Sequence, residues 1–317
     1  MTIPSCFPPL LKIGVFPDAI DAELRRIFQL VDVDELAATP PLRREIEGII
    51  TRSNYRISEE LLEQLPNLRI IATNGVGYDG IPMAYARNRG IVVTNTPEVL
   101  DQAVAELAIG LLLAMLRHLP QADRYVRSGA WQAAAFPLGT SLAGKRVGIV
   151  GLGRIGKEIA RRLLAFDLEI AYFGRRRQAV DWPFFDDLKG LASYADILIV
   201  CCPGGPNTYR IIDAQVLNAL GPAGVLVNIS RGSVVDEQDL YEALKGKAIS
   251  GAALDVFDQE PLVDSPLSDL DNVILTPHIG SATRETRLRM AALAIDNAID
   301  NLTRYFNTGQ ATTPVAG

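Results

Sequence analysis

Three glycines, at positions 151, 153 and 156, form the pattern in this chain that says most about its chemistry. They directly follow an apolar, strand-like segment at 146–150, and residues 157–166 after them have the apolar spacing of a helix. A strand, a glycine turn and a helix in this order are typical of a dinucleotide site, where the diphosphate lies against the helix N-terminus. The residues predicted to contact the dinucleotide in this turn are Gly151, Leu152, Gly153, Arg154, Ile155 and Gly156.

Each glycine has a separate physical task in such a turn. Gly151 permits the tight turn, Gly153 lets the diphosphate approach the backbone, and Gly156 lets the helix pack closely on the strand. The pattern therefore predicts a bound dinucleotide near the middle of the chain.

The end of the next strand, predicted at 169–173, indicates which dinucleotide binds. An acidic residue that holds the adenosine ribose of NAD is expected there, about 20 residues after the glycines. The sequence instead has Gly174 and then three arginines, of which Arg175 and Arg176 come first, and Asp181 comes too late to replace the acid. Guanidinium groups can bind a 2′-phosphate through forked, charge-assisted hydrogen bonds, so the sequence predicts NADP(H), with Arg175 as the strongest candidate. The alternative is an ordinary solvated loop of arginines.

Only two histidines are present, and their surroundings differ. His278 follows an apolar strand predicted at 272–276 and precedes a run of small residues at 279–283. A flexible turn at the carboxyl end of a strand is where a catalytic imidazole is expected. His118 lies at the end of a predicted helix, before Pro120, and is interpreted as structural. The sequence thus predicts that His278 is the acid–base group.

The composition favours a soluble metabolic enzyme of two domains. With 317 residues, of which 48% are hydrophobic, the chain can fill two cores. The formal net charge of −6 predicts no basic face for nucleic acid or for an anionic membrane. Cys6, Cys201 and Cys202 give no disulfide framework, and Cys201 and Cys202 are expected to pack as small hydrophobic groups. No targeting segment, membrane span or metal site is predicted, so the expected location is the cytoplasm.

Short strands alternate with helices on both sides of the glycine turn, which predicts two parallel α/β domains. Residues 1–99 and 286–317 are expected to form one domain, and residues 100–285 the dinucleotide-binding domain. The stretch 100–127 is apolar on most faces and predicts one long, mostly buried helix that links the domains and serves as a dimer arm. Strands are predicted at 11–16, 48–50, 69–73, 91–94, 146–150, 169–173, 196–202, 224–228, 249–254 and 272–276. Helices are predicted at 22–29, 58–65, 81–88, 157–166, 236–245 and 286–306.

Four further segments resemble, in order and spacing, the D-isomer-specific 2-hydroxyacid dehydrogenases. Within that family, Gly174-Arg175 and Gly280-Ser281 look like the glyoxylate/hydroxypyruvate and hydroxyphenylpyruvate reductases. The resemblance implies an α/β protein with two doubly wound parallel sheets, in which a Rossmann dinucleotide-binding domain is inserted in a flavodoxin-like substrate-binding domain. The four segments read NGVGYD at 74–79, NISRGSVVDE at 228–237, GAALDVFDQEP at 251–261 and TPHIGSAT at 276–283.

The resemblance also implies a catalytic set of Arg231, Glu260 and His278. Arg231 would hold and polarise a 2-oxo acid with its planar guanidinium group. His278 would give a proton to the carbonyl oxygen as hydride arrives, and Glu260 would fix the tautomer of the imidazole and favour its protonated form. The amides of Val76 and Gly77 would bind the substrate carboxylate, with the chemistry between the two domains. Other residues implied at the substrate or the cofactor are Val104, Trp131, Cys202, Pro203, Thr208, Ile229, Ser230, Asp255 (at the nicotinamide carboxamide), Gly280 and Ser281.

Ordinary structural roles stay open for several of these residues. Arg231 could pair with Asp236 or Glu237, and Glu260 could be a solvated loop acid. Trp131 could reach the substrate pocket of a neighbouring subunit or simply pack within the dimer arm. Val104 stands where many relatives have threonine, so only a backbone or apolar contact to the cofactor is implied there.

Together these patterns predict an NADPH-dependent reductase of small 2-oxo acids that works as a homodimer. Glyoxylate and hydroxypyruvate are the first expected substrates, with glycolate and D-glycerate as products. One alternative is an arylpyruvate reductase, and another is a dinucleotide-sensing corepressor with the same fold.

Overall fold

The structure is a computed structural model of the 317-residue chain. It describes residues 7–52, 55–75, 77–96 and 100–315, apart from the side chains of residues 288 and 290–298. The chain forms two compact units, one of Met1–Leu100 with Arg284–Gly317 and one of Asp101–Thr283. The second unit contains both the glycine turn and His278.

The first unit is built on a five-stranded parallel sheet with the strand order β2-β1-β3-β4-β5. Leu11 and Ile49 pack in one buried cluster, whereas their chain neighbours Leu10 and Ile50 pack in another. Successive side chains of a strand point to opposite faces, so both faces of this sheet are covered and its strands are apolar throughout. The strands are β1 (Leu10–Lys12), β2 (Leu30–Asp32), β3 (Gly48–Arg52), β4 (Ile70–Asn74) and β5 (Val92–Thr94). The helices are α1 (Asp18–Ile27), α2 (Val33–Ala38), α3 (Glu59–Glu63), α4 (Met83–Asn88) and, at the end of the chain, α11 (Arg284–Thr308).

The second unit is built on a seven-stranded parallel sheet with the order β12-β11-β10-β9-β6-β7-β8. Its strands are β6 (Arg146–Val150), β7 (Glu169–Phe173), β8 (Phe184–Phe185), β9 (Ile197–Val200), β10 (Val225–Asn228), β11 (Gly251–Leu254) and β12 (Val273–Leu275). Its helices are α5 (Asp101–Leu116), α6 (Leu119–Arg127), α7 (Arg154–Leu163), α8 (Leu188–Tyr194), α9 (Ala214–Leu220) and α10 (Glu237–Lys245). The two parallel α/β sheets confirm the predicted fold class.

The strand order of the second unit reverses between β6 and β9. The chain continues from β6 to β7 on one side and later returns to place β9 on the other side of β6. Open parallel sheets bind ligands at the carboxyl ends of their strands beside such a reversal. The glycine turn follows β6, and Cys201 and Cys202 follow β9, so both segments lie at this point.

The prediction of one mostly buried helix over 100–127 is wrong. The chain forms two helices, α5 and α6, because His118 adopts a left-handed backbone conformation with φ of 51°. Helix α5 buries nine residues, whereas α6 buries none. Among the residues that the structure describes, no single helix is long and apolar enough to cross a membrane; α5 and α6, bent by 58°, meet the length and composition criteria only when taken together.

Candidate active site

The three glycines of the turn after β6 occupy different environments. Gly151 has φ of +98°, and a Cβ atom there would lie 2.7 Å from the backbone nitrogen of Cys202. A Cβ atom on Gly156 would lie 2.4 Å from the carbonyl oxygen of Gly151. At Gly153 no atom of the described residues lies within 4 Å of the Cβ position. Two glycines therefore allow close packing, and the third leaves space at the N-cap of α7.

Side chains from two other elements are tied to this turn. Arg154 donates a hydrogen bond through Nε to Oδ2 of Asp101 at the start of α5, at 3.1 Å. Cys201 donates through Sγ to the carbonyl oxygen of Gly151, also at 3.1 Å. Burial raises the pKa of the Cys202 thiol to about 11, and burial beside Cys202 raises the pKa of Cys201 as well. The two thiols stay protonated near neutral pH and act as packing groups.

The loop after β7 carries its arginines into solvent. Arg175, Arg176 and Arg177 are exposed, and Gly174 is half-buried. Just beyond them the amide of Gln178 donates to Oη of Tyr172 at 2.8 Å, which ties the end of the loop back to β7. No acidic residue lies among residues 174–180, so the positive charge of this loop is not neutralised from within it.

The turn after β12 holds His278 in a restricted conformation. The backbone of His278 has φ of 52°, in the left-handed region that residues other than glycine seldom adopt, although histidine tolerates it better than most. The buried carboxylate of Asp255 accepts the amide of Ile279 and the hydroxyl of Thr276 at Oδ1, and the amide of Gly280 at Oδ2. Each of these three distances is 2.7–2.8 Å. Strain of this kind persists only where surrounding bonds fix the backbone, and Asp255 supplies them.

Glu260 and His278 form a close pair. Nδ1 of His278 and Oε2 of Glu260 are 2.6 Å apart, and the amide of Phe257 donates to the other carboxylate oxygen of Glu260 at 3.0 Å. Partial burial acts to raise the pKa of Glu260, but the bonds from His278 and Phe257, with the charges of His278 and Arg231, lower it below its ordinary value. The pair orients the imidazole so that Nε2 is left for a reacting molecule. The Glu260 carboxylate thus has two partners within the described residues, and its role at a substrate stays a prediction.

Arg231 is positioned by the segment that follows β10. The buried side chain of Asn228 donates to the carbonyl oxygen of Arg231 at 3.1 Å and accepts from the Ser230 amide and hydroxyl. Nη1 of Arg231 donates to the Ser230 carbonyl oxygen at 2.7 Å. A Cβ atom on Gly232 would lie 1.8 Å from the backbone carbon of Phe257, so the segments that carry Arg231 and Glu260 meet backbone to backbone.

The two alternative partners of Arg231, Asp236 and Glu237, bind other groups. The Asp236 carboxylate caps α10 by accepting the amides of Gln238 and Asp239, and its other oxygen accepts from Arg210 at 3.2 Å. The carboxylate of Glu237 accepts the amide of Asp258 at 2.6 Å. Both acids thus have structural partners of their own.

The structure places the other predicted residues of the second unit in different surroundings. A Cβ atom on Gly280 would lie 3.4 Å from Cγ2 of Val104, so α5 packs beside the His278 turn. Thr208 donates its hydroxyl to the carbonyl oxygen of Pro203 at 2.7 Å, which closes the loop after β9. Ile229 is buried, Ser281 is half-buried, and the Trp131 side chain is 67% exposed. In the first unit Gly77 is half-buried, and Val76 lies outside the described residues.

The supporting roles of Asn228, Gly232 and Glu237 were not predicted from the sequence. The only signal for Asn228 is a polar residue at the end of a buried apolar strand. Gly232 and Glu237 act on a backbone segment more than twenty residues later in the chain, and spacing alone does not predict that contact.

The sheet order and the glycine turn define a protein of the Rossmann dinucleotide-binding class. More narrowly, residues 109–280 match the description "D-isomer specific 2-hydroxyacid dehydrogenase, NAD binding domain". The chain belongs to the D-isomer-specific 2-hydroxyacid dehydrogenase family.

Three relatives illustrate the similarity. Glyoxylate/hydroxypyruvate reductase A of Arabidopsis thaliana is 46% identical over 274 residues, 86% of each chain. Hydroxyphenylpyruvate reductase of Plectranthus scutellarioides is 46% identical over 271 residues, 85% of each chain. The crystal structure of an NADPH-dependent glyoxylate/hydroxypyruvate reductase from Sinorhizobium meliloti, in complex with NADP and malonate, has a TM-score of 0.88 and 44% identity, and the match covers 98% of this chain and 97% of that one.

Proposed function

We propose that the protein reduces small 2-oxo acids to 2-hydroxy acids with NADPH, with glyoxylate and hydroxypyruvate as the first substrates. The observation that carries the proposal is the Glu260–His278 pair at 2.6 Å, with the charge of Arg231 acting on it. A paired imidazole beside a guanidinium group suits a substrate that has a carbonyl to protonate and a carboxylate to hold. The names of the similar proteins from Arabidopsis thaliana and Sinorhizobium meliloti support the same substrate class.

The residues of the turn after β6 fit a dinucleotide. Gly153 leaves open space at the N-cap of α7, where backbone amides and the helix dipole favour a diphosphate. Arg175 and Arg176 are exposed at the end of β7 and would hold a 2′-phosphate, which favours NADP over NAD. The nicotinamide, when bound, supplies a hydride to the substrate carbon. Oδ2 of Asp255 accepts a single bond, from Gly280, and retains capacity for the carboxamide of the cofactor.

The chain's own residues account for the proton and for the orientation of the substrate. Arg231 holds the carboxylate of the 2-oxo acid and polarises its carbonyl group. His278 donates a proton from Nε2 to the carbonyl oxygen, a contribution of about 10²–10⁴-fold for a positioned acid. Glu260 stabilises the imidazolium form before transfer and keeps the ring in place through Nδ1. Binding of the substrate carboxylate by the amides of Val76 and Gly77 stays a prediction.

Initial rates with parallel substrates and cofactors test this function. Glyoxylate, hydroxypyruvate, pyruvate and phenylpyruvate are each reduced with NADPH and with NADH, and kcat/KM is compared. We expect the highest values for glyoxylate or hydroxypyruvate with NADPH. A clear preference for phenylpyruvate would favour the arylpyruvate alternative, and preference for NADH would contradict the cofactor assignment. No turnover on any of the four would favour a dinucleotide-sensing role.

We also propose that the protein is a homodimer and that it works in the cytoplasm. Residues 119–138, which include α6, carry four exposed large apolar side chains, Leu119 (52%), Val126 (56%), Trp131 (67%) and Leu138 (95%). The Tyr125 hydroxyl donates to the Ala134 carbonyl oxygen at 2.9 Å, which ties α6 to the residues that follow it. A second copy would cover these apolar side chains. Sedimentation velocity should give a dimer for the native chain and a monomer for Val126→Asp with Leu138→Asp; a native monomer would contradict the proposal. The two free, protonated thiols are compatible with a reducing compartment.

A further inference from the structure

A second carboxylate, that of Glu237, contacts the loop that carries Glu260. Glu237 is the first residue of α10, and it is half-buried instead of extending into solvent. Its Oε1 accepts the amide of Asp258 at 2.6 Å. An acid in the first turn of a helix ordinarily acts through the helix dipole alone. Glu237 additionally makes a bond to a loop twenty-one residues away in the chain.

The loop that Glu237 binds is the one that carries Glu260. Asp258 is adjacent to Phe257, whose amide donates to Oε1 of Glu260 at 3.0 Å. The two amide bonds therefore hold neighbouring residues of one turn, one to Glu237 and one to Glu260. Gly232 lies against the same stretch of backbone, at a separation that excludes any side chain. Movement at Asp258 would be transmitted to Phe257 and so to the Glu260 carboxylate.

An ion pair supports this arrangement. Arg210 lies 3.2 Å from Oδ2 of Asp236 and 3.8 Å from Oδ2 of Asp258. Burial raises the pKa of Glu237, as do the charges of Asp258 and Asp236, whereas the Asp258 amide and Arg210 oppose the shift. A half-buried acid beside two other acids is unfavourable in itself, and the Asp258 amide and Arg210 together offset part of this cost.

We infer that Glu237 is a positioning residue for the reduction: through the Asp258 amide it fixes the turn that keeps Glu260 against Nδ1 of His278. The inference rests on the proposed function, in which Glu260 stabilises the protonated imidazole. Without this anchor the turn shifts, Glu260 holds the ring less well, and the imidazole loses its proton at lower pH.

Three substitutions of Glu237 separate the effect of side-chain length from the effect of charge. Glu237→Gln keeps the length and an acceptor oxygen but loses the charge. Glu237→Asp keeps the charge at the start of α10 but draws the oxygen back by about 1.5 Å, one carbon–carbon bond. Glu237→Ala loses both. Glu242→Gln is the matched control, because Glu242 is an exposed residue of the same helix, and its side chain accepts from Gln238 at 3.2 Å.

The pH profile of kcat/KM for reduction is the decisive measurement. We expect Glu237→Gln and the control to match the native enzyme. Glu237→Asp and Glu237→Ala should lose about two- to fivefold in kcat at neutral pH, and the alkaline fall in kcat/KM should begin about half a pH unit lower. The KM for NADPH should stay unchanged in all four variants. If Glu237→Asp behaves as the native enzyme while Glu237→Gln is impaired, the residue acts through its charge on the helix, and the inference is wrong.

An imidazole titration by NMR tests the inference without turnover. The two histidine signals are assigned with His118→Asn, and the titration midpoint of His278 is compared between Glu237→Gln and Glu237→Asp. A lower midpoint in Glu237→Asp alone supports the positioning role even if no 2-oxo acid is reduced, in which case only the proposed function fails. Equal midpoints in an enzyme that is active would overturn the positioning role and leave the proposed function intact.

Discussion

Two loops of the second unit carry charged groups for the same proposed reaction but are built in opposite ways. In the turn after β12, three hydrogen bonds to Asp255 fix the backbone, and Glu260 fixes the imidazole of His278. In the loop after β7, the guanidinium groups of residues 175–177 are exposed, and none of the residues that the structure describes forms a hydrogen bond or an ion pair with them. One loop is rigidly supported and the other is solvated.

The difference follows from what each loop has to do. Proton transfer requires heavy atoms about 3 Å apart in a fixed direction, so a displaced acid loses much of its effect. A cation attracts a phosphate through a Coulomb field that falls off slowly with distance, so an arginine can find its ligand from many rotamers. In the proposed reaction, hydrogen bonds fix the turn after β12, where geometry limits proton transfer. The arginines of the loop after β7 need no such support, because attraction alone can bring a phosphate to them.

Among the predictions that test this comparison, removal of the His278 imidazole should have the largest effect on activity. We expect His278→Ala to lower kcat by about 10²-fold or more, because the proton donor is lost, while the affinity for NADPH changes little. Stopped-flow single turnovers and fluorescence titration of NADPH measure the two quantities. His118→Ala is the control, since that residue lies at the break between α5 and α6, far along the chain from the reacting groups. An equal loss of turnover in both variants would show that His278 is not the acid.

A substitution in the solvated loop after β7 should instead weaken NADPH binding and leave turnover nearly unchanged. Arg175→Ala should raise the KM for NADPH by about 10–100-fold, the equivalent of about 1.5–3 kcal/mol for a lost charge-assisted bond, with kcat and the KM for NADH nearly unchanged. Arg26→Ala is a charge-matched control, because Arg26 is exposed in the first unit and pairs with Glu23. If NADPH and NADH respond equally to Arg175→Ala, the loop does not recognise the 2′-phosphate.

Glu260→Gln should produce a smaller loss that depends on pH. The pKa of Glu260 is lowered by its bonds and by positive neighbours, so the carboxylate is ionised throughout the neutral range, with Oε2 2.6 Å from Nδ1 of His278. The amide keeps the shape but not the charge, so the proton leaves the imidazole more easily as the pH rises. We expect the alkaline fall in kcat/KM for reduction to begin about one pH unit lower than in the native enzyme. At pH 8 the variant should be about tenfold less active than the native enzyme. Unchanged alkaline behaviour would mean that Glu260 only positions the ring.

The fold class could be predicted, and candidate site residues selected, because the signals of both are local. Apolar runs predicted most strands, and a glycine run after a strand predicted the turn that Gly151 and Gly156 form. Strand β2 was missed because its two apolar residues are followed directly by Asp32, and β8 because two residues are too short to show a period. The break between α5 and α6 was missed because a single left-handed residue, His118, leaves no pattern in the spacing of apolar residues.

The supports of the site could not be predicted in the same way. His278 and Arg231 were recognised by residue type within motifs, but the bonds from Asp255 to the amides of Ile279 and Gly280 depend on the register of β11 with β12. The contact of Gly232 with Phe257 depends on two loops meeting backbone to backbone. Such contacts are decided by packing, which the order of residue types alone does not specify.

Thr276→Val should have the smallest effect. It tests whether the His278 turn needs all three hydrogen bonds to Asp255. The hydroxyl of Thr276 donates to Oδ1 of Asp255 at 2.7 Å, and valine keeps the shape without this donor. Asp255 retains the amides of Ile279 and Gly280, so we expect a loss of about 1 kcal/mol, a fall in Tm of about 2–4 °C and a decrease in kcat of about two- to fivefold. Thr303→Val is the matched control, because its hydroxyl donates at 2.7 Å to the Ile299 carbonyl oxygen in α11, where a similar fall in Tm should leave kcat unchanged. If Thr276→Val lowers Tm but leaves kcat equal to that of the control, two amide bonds suffice to place the imidazole, and the close support of this turn exceeds what the reaction needs.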